Sequence, residues 1–322
     1  MGFFSWLLKG SGYDVDELAR RLDLPEEQLR QTQPRYREFF IPKRSGGRRR
    51  ILAPDDPTKR LQHRILRRLL ARLRSHPAAM GFERGRSIVT NAKAHEGQGI
   101  VMRFDVRDFF PSTRRRRVKK YFRRIGWNRP AAKLLTLLCT HDGGLPQGAP
   151  TSPRLSNLVN YRVDARLAGM AARLGGVYTR YADDVTISFP EDPPETKTTR
   201  NPRTGFIGGE TTFSEKSHYM QGFLDRVLWE NGYQLHRRKK RSVRRRHQQQ
   251  MVTGLVVNDR VNLPRATRRW LRAVEHRARN QPRSLSSYEP FSDTPTKEPT
   301  LSESQLEGWQ SLQSMVRRQS QQ

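Results

Sequence analysis

Four aspartates sit where a folding chain has least use for them. Asp105 and Asp108 lie in Phe104-Asp105-Val106-Arg107-Asp108-Phe109-Phe110, and Asp183 and Asp184 in Tyr181-Ala182-Asp183-Asp184-Val185, both otherwise largely apolar. Burying an ionised carboxylate without compensation costs several kcal/mol at least, and two adjacent ones at a tight hairpin repel each other. Something cationic must gather there. Mg²⁺ fits, because it prefers carboxylate and water oxygens and recruits substrate phosphates to complete its octahedron. Two such ions about 4 Å apart can activate a hydroxyl and stabilise a phosphate leaving group. A polar hairpin turn at Asp183-Asp184 is the plainer alternative, since Asp often fills that role.

The charge balance names the partner. Lys and Arg total 62 against 31 Asp and Glu in 322 residues, a net charge of +31 that calls for a polyanion. A membrane surface is the rival, but no uncharged apolar run is long enough to span one. The start, Gly2 to Leu8, is apolar, short and without a basic region ahead of it, so it reads as a segment packed on the body or on a partner rather than a secretory signal. Cys139 is the only cysteine, which excludes an internal disulfide or a thiolate metal cluster and fits a reducing cytoplasm.

Along the chain, Asp14 to Arg30 reads as two short helices, the second opening at Pro25. Phe39 to Lys43 and Arg50 to Leu52 flank Gly46-Gly47 as a basic β-hairpin. Leu61 to Leu73 is an amphipathic helix with Ile65, Leu66, Leu69, Leu70 and Leu73 on its apolar stripe. Ile100 to Val106 is a buried strand, Lys133 to Cys139 a helix, Ser156 to Leu174 one long helix capped by Ser156-Asn157, and Val177 to Phe189 a hairpin broken at Ala182-Asp183-Asp184. Glu191 to Glu215 lacks periodicity and reads as an insertion. Helix Phe223 to Asn231, strand Val252 to Val257, basic helix Ala266 to Arg279, a polar linker Asn280 to Pro299 and a last helix bearing Leu306, Trp309, Leu312 and Val316 follow. Helices alternating with few, separated strands favour an α+β architecture.

Several motifs together carry a family. Phe104-Asp105-x-x-Asp108-Phe109-Phe110 resembles the first catalytic motif of reverse transcriptases, Leu145-Pro146-Gln147-Gly148-Ala149-Pro150-Thr151-Ser152-Pro153 with Leu155-Ser156-Asn157 resembles the second, and Tyr181-Ala182-Asp183-Asp184 the third, in the right order and spacing. Gly81-Phe82 and Gly85 to Ile88 look like a fingers element. Asn91-Ala92-Lys93-Ala94-His95 and Val252-Thr253-Gly254 resemble the NAxxH and VTG elements of retron enzymes. The resemblance implies a right-handed polymerase: a helical cap at 1–34, fingers at 35–100, a palm of antiparallel sheet and helices at 101–250 with the 191–215 insertion, and a helical thumb with a last helix at 251–322.

It also implies roles. Asp105 and Asp183, with the Val106 carbonyl, would hold two Mg²⁺ ions. Asp184 would be the neighbouring ligand or an electrostatic support, and Asp108 either a ligand or an orienter of the incoming deoxynucleoside triphosphate. Phe110 occupies the place of the steric gate that excludes a ribose 2′-hydroxyl, with Phe109 beside it as the alternative. Gln147, Lys43, Arg49 and Lys239 would touch the nucleotide. Asn91, His95 and Val252-Thr253-Gly254 would bind RNA, although a lone histidine is more often structural. Arg268 and Arg272, with Arg269, Arg277 and Arg279, would face an RNA–DNA duplex, which is read through shape and backbone. The runs Arg114 to Arg117 and Arg237 to Arg246, the latter with eight Lys or Arg in ten positions, would repel themselves unless phosphates neutralised them.

The expected activity is RNA-templated DNA synthesis on a cognate structured non-coding RNA, with a branched RNA–DNA product, a role in phage defence, an effector protein as partner and no membrane. The rivals are another bacterial reverse transcriptase, stand-alone or diversity-generating, and an inactive basic RNA-binding scaffold.

Overall fold

Capping and turn chemistry set most of the boundaries. In the computed structural model, which describes residues 12–43, 46–190, 199–200, 207–208, 213–236, 242–280 and 303–321, the Asp14 carboxylate accepts the Glu17 amide at 2.9 Å and starts α1 (Val15–Leu22). Pro25 opens α2 (Glu26–Gln31). The basic hairpin follows as β1 (Tyr36–Pro42) and β2 (Arg48–Pro54), in antiparallel register from Tyr36↔Pro54 to Pro42↔Arg48. Helix α3 (Asp56–Ile65) starts earlier than its apolar stripe suggests, because Asp55 caps the Thr58 amide and Pro57 suits the first turn. It ends in a π turn over Leu66–Leu70, where the ladder admits an extra residue.

Ser87 caps α4 (Ile88–Lys93) through the amides of Val89 and Thr90. Strand β3 (Ile100–Asp105) leads into α5 (Phe109–Ser112), α6 (Arg115–Arg124) and α7 (Arg129–Cys139), the last capped by Asn128. The helix expected over Ser156 to Leu174 is two helices, α8 (Ser152–Val159) and α9 (Tyr161–Arg173). Asn160 separates them. Its buried amide donates to Ser156 O at 2.9 Å and to Tyr233 OH at 2.8 Å, and its Oδ1 accepts Arg117 at 2.8 Å. A side chain that binds nearby backbone competes with the helix ladder. The expected cap at Ser156-Asn157 is corrected too, because Pro153 already starts α8 and both residues lie inside it.

The hairpin β4 (Val177–Tyr181) and β5 (Asp184–Phe189) follows as expected. Short strands β6 (Thr199–Arg200) and β7 (Ile207–Gly208) pair within the supposed insertion, and α10 (Phe213–Glu230) begins inside it. Strand β8 (Ser242–Arg245) comes next. The single strand expected over Val252 to Val257 is a tight hairpin, β9 (Met251–Val252) and β10 (Leu255–Val256), because Thr253 and Gly254 both take positive φ, +47° and +84°. Helices α11 (Arg265–Asn280) and α12 (Glu303–Gln321) close the chain. Gly2 to Leu8, Lys239 and residues 281–299 lie outside the described residues.

The central sheet has four strands in the order β4-β5-β3-β8, every neighbour antiparallel, so the α+β expectation holds. Side chains alternate across it. Ile100, Met102 and Phe104 face a core shared with α9 and α10, while Val101 faces a second core built from α4, the β9–β10 hairpin, α11 and α12. A third core joins α1, α2, α3, α6, α7 and α8 around Leu18, Leu22, Leu70, Phe122 and Leu135. Each fully buried Leu, Ile, Val or Met stabilises by roughly 1.5–3 kcal/mol. The sheet thus has apolar support on both faces.

Candidate active site

The register of two strands brings the unwelcome aspartates together. In the β3–β5 pair Asp105 lies opposite Asp184, and Asp183 sits in the turn that enters β5. The turn is held open by Ala182 in the left-handed region, φ +57°. Val106 donates its amide to Asp183 O at 2.9 Å, which closes the gap between the end of β3 and the turn. Asp105 is 5% exposed, whereas the Asp184 carboxylate is 39% exposed, so the pair opens from the protein toward solvent.

Cations and donors crowd this end. Arg103, two residues before Asp105 and on the same face, brings Nη2 to 3.9 Å from Asp184 Oδ1. His236 donates its backbone amide to Asp105 O at 2.9 Å and sets Nε2 3.5 Å from Asp105 Oδ1. Behind the turn, Arg180 and Asp164 form a buried bidentate pair at 2.8 and 2.7 Å, and Tyr178 OH donates to the same carboxylate at 2.9 Å. Arg180 also donates to Ala182 O at 3.2 Å and lies over the Phe109 ring. Gly81 packs against the turn so closely that a Cβ there would stand 2.9 Å from Ala182 N. Sequence reasoning missed Arg103, His236 and the Arg180–Asp164 pair. Only Arg103 left a signal, being a charge in an apolar strand at the same parity as Asp105.

The two neighbouring phenylalanines part company. Phe109 is buried, stacked on Tyr233 at 5.7 Å and 19°. Phe110 is half-buried and turns its ring toward Phe82, 6.1 Å away, which in turn lies 6.4 Å from Tyr181 beside the aspartate turn. Phe109 is thus a core residue, and Phe110 is the more exposed of the two rings. Asp108, at φ +45°, carries a side chain that is 64% exposed and paired with Arg107 at 3.3 Å.

The Leu145-Pro146-Gln147-Gly148 loop stitches the basic hairpin to this floor. Leu145 donates to Phe110 O at 3.2 Å, and Gln147 O accepts the Leu52 amide of β2 at 2.8 Å. Two close approaches make the loop glycines necessary. A Cβ at Gly144 would fall 2.1 Å from Pro111 O, and one at Gly148, φ +129°, 2.8 Å from Leu52 O. Asn157 extends the lattice by donating to Gly81 O at 2.7 Å and Glu83 at 2.8 Å, and Arg154 pairs with Glu83. Lys43 and Arg49 lie exposed on the hairpin that this loop docks.

The supposed RNA-binding elements divide. Asn91 and His95 are buried, at 1% and 0% exposure. His95 bonds Ser188 Oγ at 2.7 Å and Thr179 Oγ1 at 2.8 Å, and burial brings its pKa down to about 3. Val252 is enclosed, and Thr253 donates to Ile88 O at 2.9 Å. Direct RNA contact by Asn91, His95 and Val252 is therefore corrected, because all three side chains are buried; His95 ties the end of α4 to β4 and β5, and Thr253 ties the β9–β10 hairpin to α4. Gly254, Arg268 and Arg272 are exposed, and the two arginines share one face of α11 opposite buried Leu271 and Val274. Cys139 is buried, which pushes its thiol up to about 12 and removes it from thiolate chemistry.

The donor set suits a hard divalent cation. Two aspartates meet across a strand pair next to a backbone turn, which matches Mg²⁺ bound through one or two carboxylates with water and substrate phosphates completing the shell. No group of three or more His, Cys, Asp and Glu placed to share an ion occurs among the described residues.

Comparison with known proteins gives the family. Residues 41–200 match the family model described as Reverse transcriptase (RNA-dependent DNA polymerase). The retron Mx65 reverse transcriptase of Myxococcus xanthus is 38% identical over 270 residues, covering 78% of this chain and 57% of that protein. The Mx162 enzyme of the same organism is 36% identical, covering 81% and 58%. The retron Ec86 reverse transcriptase of Escherichia coli is 41% identical over 48% of this chain and 49% of that protein. The chain thus belongs to the reverse transcriptases. Within them it is of the retron type. It spans about half to three-fifths of the length of these curated relatives. A telomerase chain from Candida albicans, in complex with a fragment of telomeric RNA, superposes with a TM-score of 0.48 at 10% identity, covering 81% of this chain and 50% of that one.

Proposed function

We propose that the chain is an RNA-directed DNA polymerase that copies part of a cognate structured RNA into single-stranded DNA. The observation that carries this reading is the Asp105↔Asp184 register, which places an aspartate pair beside the Asp183 turn at the solvent end of the sheet. In this reading Asp105, Asp183 and the Val106 carbonyl hold two Mg²⁺ ions, with Asp184 beside them. The bound ions supply charge for the triphosphate and lower the pKa of the attacking 3′-hydroxyl. The chain's own groups orient the reactants. Arg103 and His236 hold the carboxylates in place, Phe110 faces the sugar, and the Gln147 loop sets the height of the basic hairpin, from which Lys43 and Arg49 reach the phosphates. The sheet with α9 and α10 is the palm, β1–β2 belongs to the fingers, and α11 with α12 forms the thumb, whose Arg268 and Arg272 follow the backbone of the RNA–DNA duplex. Lys239 keeps its proposed place near the nucleotide.

A purified chain with Mg²⁺, dNTPs and an RNA template bearing a DNA primer is expected to extend the primer. Asp183→Asn with Asp184→Asn is expected to lower extension by about 10³-fold or more while the circular dichroism spectrum stays unchanged. Extension at wild-type rate would reject the metal assignment. Phe110→Val is expected to admit ribonucleotides, read as a ratio of rNTP to dNTP incorporation at least about tenfold above wild type. Phe109→Val should instead destabilise the fold without changing that ratio. Similarity to retron enzymes further supports a branched RNA–DNA product, an effector partner, a cytoplasmic setting and a role in phage defence. Sizing the DNA before and after debranching distinguishes that from a linear product, which would point to another group of bacterial reverse transcriptases.

A further inference from the structure

The helical layer remote from the aspartates carries a second feature that the polymerase reading leaves unused. Helices α2, α6 and α7 border an open groove of about 700 Å³ lined by the cations Arg30, Arg115, Lys119, Arg129 and Lys133 together with Pro130, Leu134 and Leu137. It shares no residue with the aspartate site. Arg115 and Lys119 stand one turn apart on α6, and Arg129 and Lys133 one turn apart on α7, so two rows of cations line the same cleft. Of the five, only Arg30 has a carboxylate partner, Glu26, among the described residues. The neighbouring grooves are mixed: Arg21 is paired with Glu17 at 2.6 Å, Arg68 with Asp23 at 3.3 Å, and Arg64 donates to the carbonyls of Leu22 and Asp23, while Arg60 and Arg72 have no carboxylate within ion-pair distance among the described residues.

Four unneutralised cations held on two rigid helices repel one another and lower the stability of the chain. They make physical sense with an anionic ligand of matching length. The lining contains no aromatic side chain. Proteins that hold unpaired strands combine cations with aromatic rings on which bases stack, so this groove is built to meet a backbone whose bases are turned away. A base-paired RNA stem offers that, with phosphates outward and its bases hidden. Pro130, Leu134 and Leu137 offer apolar surface for the long Lys and Arg stems.

We propose that the α2–α6–α7 groove is a phosphate-binding site for a base-paired stem of the RNA, gripping it outside the copying cleft. The proposal rests on the reading that the chain handles a structured RNA. The groove anchors the non-copied part of the molecule while the template strand passes the aspartates.

The test uses the full chain and two RNAs: a template overhang leading into a long base-paired stem, and the same template without the stem. Wild type is expected to bind the stemmed RNA more tightly. The triple variant Lys119→Gln, Arg129→Gln, Lys133→Gln is expected to lose about tenfold in affinity for it, and the slope of log affinity against log salt should shrink by about 2, near 0.7–0.9 for each phosphate no longer neutralised. Primer extension on the stemless template should be unchanged. Arg129→Gln alone, at the exposed start of α7, should give a third of the slope change and guards against misfolding of the triple variant. Unchanged affinity and slope on the stemmed RNA would overturn the proposal. So would an equal loss of extension on the stemless template, which would move these cations into the cleft. Loss of binding to phosphatidylserine-rich vesicles with RNA binding intact would overturn it as well, giving the groove to a membrane. If wild type extends no primer at all, the polymerase reading fails, and the binding comparison still decides the groove.

Discussion

Arg180 links the buried interior to the reacting end of the sheet. Its guanidinium is fixed by both oxygens of Asp164, and its third nitrogen, Nη1, donates to the Ala182 carbonyl, so the left-handed turn that presents Asp183 is braced from behind. Removing one partner of such a pair strands a buried charge, at a cost of about 3–5 kcal/mol. Arg180→Met and Asp164→Leu alone should therefore each lower the unfolding midpoint sharply. The double variant should recover most of that stability, because a well-packed apolar pair of similar volume often replaces a buried ion pair without loss. Extension by the double variant should remain about 10- to 100-fold below wild type, since small misplacements of reacting groups cost that much. A double variant that regains activity along with stability would show the pair to be packing alone. None of this was visible from spacing: Asp164 and Arg180 are separated by a helix end and a turn, and only the β4–α9 packing joins them.

Among the elements, the Leu145 to Gly148 loop joins the basic hairpin to the segment that follows β3. Gln147 O fastens to Leu52, and the backbone approach at Gly148 leaves no room for a side chain. Gly148→Ala combines a strained φ with a clash against Leu52 O and should destabilise by about 1–3 kcal/mol. Its specific signature should be a dNTP KM raised several-fold with kcat changed less, read by steady-state extension, because the hairpin that carries Lys43 and Arg49 is displaced. An unchanged KM would separate the hairpin from nucleotide binding. The motif was legible in the sequence, and its Gly-Pro-rich composition promised a stiff loop. The partner of that loop was not, because nothing local in Gln147-Gly148 names a strand about a hundred residues earlier.

Across the whole molecule, the sheet is supported by different cores on its two faces, and His95 is the polar rivet of the second. Its ring is enclosed between α4 and the β4–β5 strands, bonded to Ser188 and Thr179. With the folded pKa near 3 and an unfolded value near 6.5, the unfolded chain binds the extra proton between those limits. Stability from this group is therefore complete above about pH 6.5 and declines as pH falls toward 3, by about 2 kcal/mol at pH 5. Denaturant midpoints measured from pH 7.5 to 5 should fall accordingly. His95→Gln should be less stable than wild type at pH 7.5 but show a flatter profile. Parallel profiles would assign the acid sensitivity to other groups.

The sequence by itself made legible the class of architecture, the hairpins at Tyr36–Pro54 and Val177–Phe189, and carboxylates placed in apolar strands, because these depend on short-range signals: periodicity, caps and turn residues. It also determined the family, through motifs whose order and spacing survive in one dimension. Only the tertiary structure tells buried Phe109 from half-buried Phe110, since adjacent residues differ only in what packs against them. It alone buried Asn91 and His95, and broke the Ser156 to Leu174 helix at Asn160. It alone gathered the unpaired cations of α6 and α7 into one groove. Each of these outcomes depends on contacts between residues far apart in the chain, whose energies no local window contains.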